Sequence, residues 1–460
     1  MIRIPRAMAR VVRRWNTRVE RSNYDISGRV FSRAAEQPTR STHRLALRVA
    51  LITACVLAGI YIWFAFRAFQ AYRFSARHDQ ISLRRAIQLQ PRDANNYDFL
   101  GQYFLWQAQD PRAAATQFQQ AARLNPYSSS YWLHLAQAEN SLGNEVQQAN
   151  AIRKAVAVDP TTPELAWTAA NFFLVQGQTE EALDQFAVVI RNDPSIAAAA
   201  LERSWRASGQ VDSIEQRLPR DPEVYLSFVK LLVAKEQWAA AKHMWESMLS
   251  LNRQFDARSA LFYVDALLTK QEVAAAQSAW QRIVNASSNL KPYITPDNLI
   301  VNPSFSHEFL NAAFDWHDSA QNGVAMVLDP TQTYQASEAL LITYAGPDNG
   351  DAGIWQYIPV VSGVAYVASA WVKSEELESA NGPELSISDA YHNQLLARSE
   401  ETLGSTSWHQ VHITFTAPKE TTLVVVRFSR EPASTRIRGK FWVDNVRMSQ
   451  DVRQSLNSVH

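Results

Sequence analysis

Residues 97–126 read YDFLGQYFLWQAQDPRAAATQFQQAARLNP, and the order of large, small and helix-breaking residues in this stretch decides the first part of the fold. Tyr97, Leu100, Gly101 and Phe104 recur at helical spacing, and so do Ala114, Phe118 and Ala121 before Pro126. Small residues let two helices approach closely while the large ones fill the groove between them. The proline stops one helix and stands before the next. The order returns as Trp132, Leu135, Ala136, Ile152, Ala155 and Pro160, and again as Ala166, Ala169, Ala170, Phe173, Ala182, Phe186, Val189 and Pro194. Counting from Pro91, the prolines lie 35, 34 and 34 residues apart. A fixed interval near 34 marks an array of helix pairs.

This pattern resembles the tetratricopeptide repeat, and the resemblance implies a solenoid that holds another protein on its inner face. From Ser195 the pattern decays: Pro219 and Pro222 arrive early and predict a shortened second helix. Two more pairs follow without the proline mark, carrying Ala241, Trp245 and Met248, then Ala276, Trp280 and Ile283. That makes five to six pairs over about residues 80–288. In phase, Gln102, Gln137 and Asn171 share one position of three successive first helices, with Asn140 one turn beyond Gln137. Carboxamides both donate and accept, so this row suits an extended peptide backbone. The alternative is a solvated polar groove.

Working towards the N-terminus, residues 49–66 form an uncharged apolar run. Eighteen residues at ~1.5 Å each span about 27 Å, close to the thickness of a bilayer core. Twelve arginines and three acids precede the run. This bias predicts a single-pass anchor in the inner (cytoplasmic) membrane, with residues 1–48 as a basic cytoplasmic tail and the bulk of the chain periplasmic or otherwise extracytoplasmic. A cleaved signal peptide is the competing reading. The only cysteine, Cys55, lies inside the run, which excludes an intrachain disulfide. A net charge of +1 argues against a nucleic-acid partner.

Working towards the C-terminus, the alanine-rich helical pattern ends near residue 288, and a linker over 289–297 carries Pro292 and Pro296. Residues 298–450 then show short alternating segments at 339–343, 353–360, 365–372, 384–388, 408–415, 422–428 and 440–446, the pattern of a β-sandwich, with 451–460 as a tail. The phrases Asn298-Leu299-Ile300-Val301-Asn302-Pro303-Ser304-Phe305 and Phe441-Trp442-Val443-Asp444-Asn445-Val446 resemble the galactose-binding-like jelly rolls that serve as carbohydrate-binding modules. A pyranose needs a flat aromatic face with amides or carboxylates beside it. Trp316, Tyr344, Trp355, Tyr357, Trp408 and Tyr391 are the aromatic candidates, with Asp315, Gln356 and Asn393 near them in sequence. Trp371 and Trp442 alternate with apolar neighbours and are expected inside. The resemblance also implies a structural calcium, for which Asp444 is the candidate ligand; no other cofactor is expected. The segment 347–351 reads as a turn.

No phosphate loop, zincin pair or nucleophile elbow is present in the sequence. The expectation is a multidomain, non-catalytic scaffold: one transmembrane helix, an all-α solenoid over 67–288 and an all-β jelly roll. It would bind a protein partner, and through its sandwich a glycan, in envelope polysaccharide assembly or export. Alternatives are a purely structural assembly factor, whose sandwich packs on protein, and a glycan-active enzyme with paired carboxylates such as Glu375-Glu376 or Glu400-Glu401. Exposure of Trp316 and Trp355 would favour sugar binding, and their burial the assembly factor.

Overall fold

The computed structural model describes residues 40–319, 322–335, 337–345 and 351–451; the basic head before Arg40, the 347–350 part of the expected turn and the tail after Asp451 lie outside the described residues. The chain divides into two compact units, residues 1–108 and 109–460.

In the first unit, helix α1 runs from Arg40 to Ser75, α2 from Gln80 to Leu89 and α3 from Ala94 to Gln102. Within α1, Leu47–Ser75 is long and apolar enough to cross a membrane, and its most apolar stretch is not buried; a signal sequence has the same character. Helix α1 runs on past residue 66, the expected end of the anchor, and its last turns pack on α2 as a repeat helix. Ala71 and Ser75 are buried, the Arg67 guanidinium donates to Leu89 O, and Ser75 Oγ donates to Asn96 Oδ1 at 2.6 Å. A π-helical segment, Tyr103–Gln107, follows α3, closed by the Ala108 N–H on Tyr103 O at 3.0 Å. A π-turn takes up one residue more than an α-turn, which accounts for the single 35-residue interval.

The second unit opens with α4 (Pro111–Leu124), α5 (Ser129–Ser141), α6 (Glu145–Val158), α7 (Pro163–Val175) and α8 (Thr179–Asn192). Each Asx-Pro step is a double device. Asn125, Asp159 and Asp193 end α4, α6 and α8, and their side chains accept from the N–H groups of Tyr127, Thr161 and Ser195 in the turn that follows. The pattern alanines 114, 121, 155, 169 and 182 are buried, as are Phe118 and Phe186. Next come α9 (Ala197–Ser208) and a five-residue α10 (Val211–Glu215), the shortened partner that the early prolines predict. The pairs α11 (Pro222–Ala234) with α12 (Trp238–Ser250) and α13 (Ala257–Thr269) with α14 (Val273–Ala286) complete the helical part.

The remainder is a sandwich of two antiparallel five-stranded sheets. One has the order β1 (His317–Asp318), β4 (Ile354–Pro359), β9 (Leu423–Ser429), β6 (Glu384–Asp389), β7 (Leu395–Arg398). The other has β2 (Val324–Asp329), β3 (Ala339–Tyr344), β10 (Ile437–Gln450), β5 (Ala365–Ser379), β8 (Gly404–Thr416). Strand alternation sends Tyr366, Ala368, Ala370 and Val372 of β5 inward to meet Ile354 and Ile358 of β4 and Val424, Val426 and Phe428 of β9. Asn298 closes the sandwich: its amide donates to Val446 O and its Oδ1 accepts from Ile300 N–H and Met448 N–H.

Gly439 marks a bulge between β10 and β5 at φ 120°, and a Cβ there would lie 2.3 Å from Glu376 O. Gly439→Ala is therefore expected to destabilise the sandwich by about 3 kcal/mol, from backbone strain and overlap together. A urea midpoint unchanged from wild type would contradict this.

Candidate functional site

The carboxamide row of the solenoid divides in two. Gln102 Nε2 donates to Asp98 Oδ2 at 2.7 Å, and Asn171 donates to Trp167 O and accepts from Arg203 Nη1 at 3.0 Å, with the same guanidinium 5.2 Å from the Trp167 ring. These two amides are engaged within the protein. Gln137 and Asn140 are exposed, lie three residues apart on one side of α5, and have no side-chain partner among the described residues. Of the four expected groove residues, these two keep both ends of the carboxamide free among the described residues, whereas Gln102 has its Nε2 on Asp98 and Asn171 has both ends engaged.

The sandwich candidates separate onto different surfaces. Trp316 and Tyr344 are at most 1% exposed inside the core, a correction to their reading as glycan contacts. The Trp316 indole N–H donates to Asn302 O at 3.0 Å, so the closing strap satisfies its polar end. Trp355 and Tyr357 are half-buried on the outer face of the β4 sheet. The His317 ring lies over Trp355 at 4.0 Å and an interplanar angle of 3°, and Tyr357 meets Trp355 edge to face at 4.7 Å. This face adjoins the end of the solenoid: Tyr391 Oη donates to Leu268 O on α13, Ala313 N–H donates to Asp265 Oδ1, and Phe314 packs on Trp280 of α14. Burial raises the Tyr357 and Tyr391 phenols, the latter to about 12, and holds His317 below its ordinary value. Gln356 is fully buried and exchanges two 2.9 Å hydrogen bonds with the Val301 backbone; Asn393 is an exposed turn residue at φ 52°. Asp315 is buried, its Oδ2 accepting from Leu310 N–H.

The other sheet carries the open aromatic surface. Residues 365, 367, 369, 371 and 373 of β5 are half-buried on its outer face, while their neighbours point inward. Trp371 is therefore outside the core, contrary to expectation, and Tyr334 stacks on it at 3.6 Å and 14°. Trp408, an expected glycan residue, stands beside Tyr334 at 6.2 Å and 53°, which makes the two rings a wedge. Trp442 is buried as expected, yet on this outer side: its Nε1–H donates to Asp329 Oδ2, and Lys373 Nζ lies 5.1 Å from its ring.

A loop holds Tyr334 in place, and Asp444 holds the loop. Asp444 Oδ2 accepts from the Tyr334 and Gln335 N–H groups at 2.8 and 3.2 Å, and Oδ1 from Asn445 N–H at 2.7 Å. Asn445 Nδ2 adds a bond to Gln335 Oε1. Three backbone N–H groups thus take most of the acceptor capacity of this carboxylate, the residue that the resemblance offers as a calcium ligand. Tyr334 and Trp371 escape a reading from local pattern, because the aromatic pair is made by a loop whose anchor lies 110 residues on.

Residues 297–435 match the carbohydrate-binding-domain family, and residues 105–163 match the tetratricopeptide-repeat family. The chain thus carries tetratricopeptide repeats and, towards its C-terminus, a domain of carbohydrate-binding type. No curated protein matches it. Among solved structures it is similar to MamA, at 12% identity over 37% of this chain and 85% of that one, with a TM-score of 0.24. It is also similar to a CBM4 module, at 17% identity over 33% and 99% of the two chains, with a TM-score of 0.26. A third similarity is to PilF of Pseudomonas aeruginosa, at 19% identity over 43% and 93%, with a TM-score of 0.21.

Proposed function

We propose that this protein is a membrane-anchored, non-catalytic scaffold that holds a protein partner on its helical repeats and a glycan on its sandwich. The glycan reading rests chiefly on one observation, the wedge of Tyr334 on Trp371 against Trp408 on an open sheet face. Two aromatic planes at an angle can take the apolar faces of adjoining sugar rings, and Gln410, Ser369 and Thr414 on the same face provide hydroxyl partners. The burial of Trp316 and the covering of Trp355 by His317 support a second use of the sandwich, packing on α13 and α14. Sugar binding and structural packing thus fall to opposite faces. Gln137 and Asn140 are the proposed peptide contacts. The anchor is proposed to be α1, with the arginine-rich head in the cytoplasm and the repeats outside, in a role in envelope polysaccharide assembly or export.

The full chain in detergent, run through affinity gels cast with a panel of polysaccharides, tests the glycan reading. Retardation by at least one polymer is expected, weakened about tenfold (~1.4 kcal/mol) by Tyr334→Ala or Trp408→Ala, with Trp355→Ala unchanged. No retardation in any gel, or retardation of both variants equal to that of the wild type, would leave the assembly-factor reading in its place.

A further inference from the structure

We infer that the glycan held on this face is anionic, an inference that rests on the glycan reading above. The charged groups around the wedge are spent within the protein, save on one side. Asp444 is taken by three backbone N–H groups, Asp329 by Trp442 and Thr331, Lys373 by Gln332, and Lys440 faces Glu375 at 3.4 Å. Next to Trp371 along β5 lies Ser369, paired across the sheet with Arg447 of β10 on one side and His412 of β8 on the other. The bulge between Asp444 and Arg447 sets this register and turns Arg447 outward, since Met448 beside it is buried. Arg447 and His412 are exposed and have no partner among the described residues. Arg447 thus leaves an unpaired guanidinium on this face, one pleat from the aromatic wedge, with the His412 ring across Ser369 from it.

Neighbouring strands lie ~4.8 Å apart, so Arg447 and His412 straddle Ser369 within about 10 Å, the scale of a single sugar and its substituent. A guanidinium takes a carboxylate or sulfate through two parallel hydrogen bonds, geometry that a lysine lacks. An acidic sugar with one ring against Tyr334 would place its anion at Arg447.

The test runs the full chain in detergent through gels containing polygalacturonate, its methyl-esterified form or dextran sulfate. Polygalacturonate is expected to hold the wild type at least tenfold more tightly than the ester. Arg447→Gln should abolish that difference, Arg447→Lys keep part of it, and Tyr334→Ala release both polymers. Preference for dextran sulfate, lost in Arg447→Gln, would support the inference with sulfate as the anion. Equal retention of acid and ester, or a preference that survives Arg447→Gln, would overturn it; a Tyr334→Ala loss in that case would keep a neutral-glycan site. Retention by no polymer would overturn both readings. Arg447 is exposed and unpaired, so unchanged circular dichroism is expected for its variants.

Discussion

Asp444→Ala is expected to destabilise the sandwich by about 4 kcal/mol and, in the same step, to remove the aromatic wedge. Its carboxylate is fully buried and accepts from three backbone N–H groups, two of them in the loop that carries Tyr334. A hydrogen bond to a charged acceptor contributes ~1.5–3 kcal/mol, and an amide left buried without an acceptor costs about as much as the bond. Alanine therefore leaves the loop two choices, to stay with unpaired donors or to peel away and hydrate them. Peeling is the cheaper outcome, and it carries Tyr334 off Trp371. Urea unfolding should show the lost stability, and indole fluorescence should shift red as Trp371 becomes wet. Asp444→Asn retains one acceptor oxygen and should lose roughly half as much. A loss below about 1 kcal/mol for Asp444→Ala would mean that the carboxylate does not anchor the loop.

The second large effect is a pH dependence centred on Asp315. Burial pushes this carboxyl up to about 7, a rise that N–H donors at Leu310 and Trp316 only partly oppose. In the unfolded chain it titrates near 4. Between these values the folded protein holds a proton that the unfolded chain has released, so stability falls as pH rises from about 4 to 7 and is level above. Three units at ~1.36 kcal/mol each give an amplitude on the order of 4 kcal/mol. Asp265, Asp351 and Glu384 are also raised by burial and add the same sign, whereas His317, held low by burial, adds the opposite sign. Comparison with Asp315→Asn cancels these shared contributions: the difference between wild type and variant should slope across this window and flatten above it. A difference that does not vary with pH would refute a proton on Asp315 at neutral pH.

What the chain discloses locally it discloses well. The helix pairs could be placed because each proline and Asx residue acts on its own turn, and the strands because alternation acts on nearest neighbours. Side-chain destinations set at long range were less legible. Trp371 sits among apolar residues on both faces of β5, so periodicity cannot say which face is inside; the core decides by taking Tyr366, Ala368 and Ala370. Trp316 lies in a short irregular segment that reads as surface loop, yet the strap residue Asn302 supplies a carbonyl for its indole. Tyr334 carried no local mark, since its position comes from Asp444. Repeat phase, itself a local signal, puts Gln137 and Asn140 on the exposed side of α5, while the engagement of Asn171 by Arg203, 32 residues on, leaves no local mark.

The unbroken course of α1 has a mechanical meaning. Thirty-six residues at ~1.5 Å make a rod of about 54 Å, of which the bilayer core occupies ~30 Å. On the anchor reading, the far end of the rod is already clasped by α2 and α3 through Arg67, Ala71 and Ser75. The first repeat is then not leashed to the bilayer but mounted on it. A change of tilt or rotation in the lipid phase would reach the first helices of the array as a torque, with no slack between to absorb it.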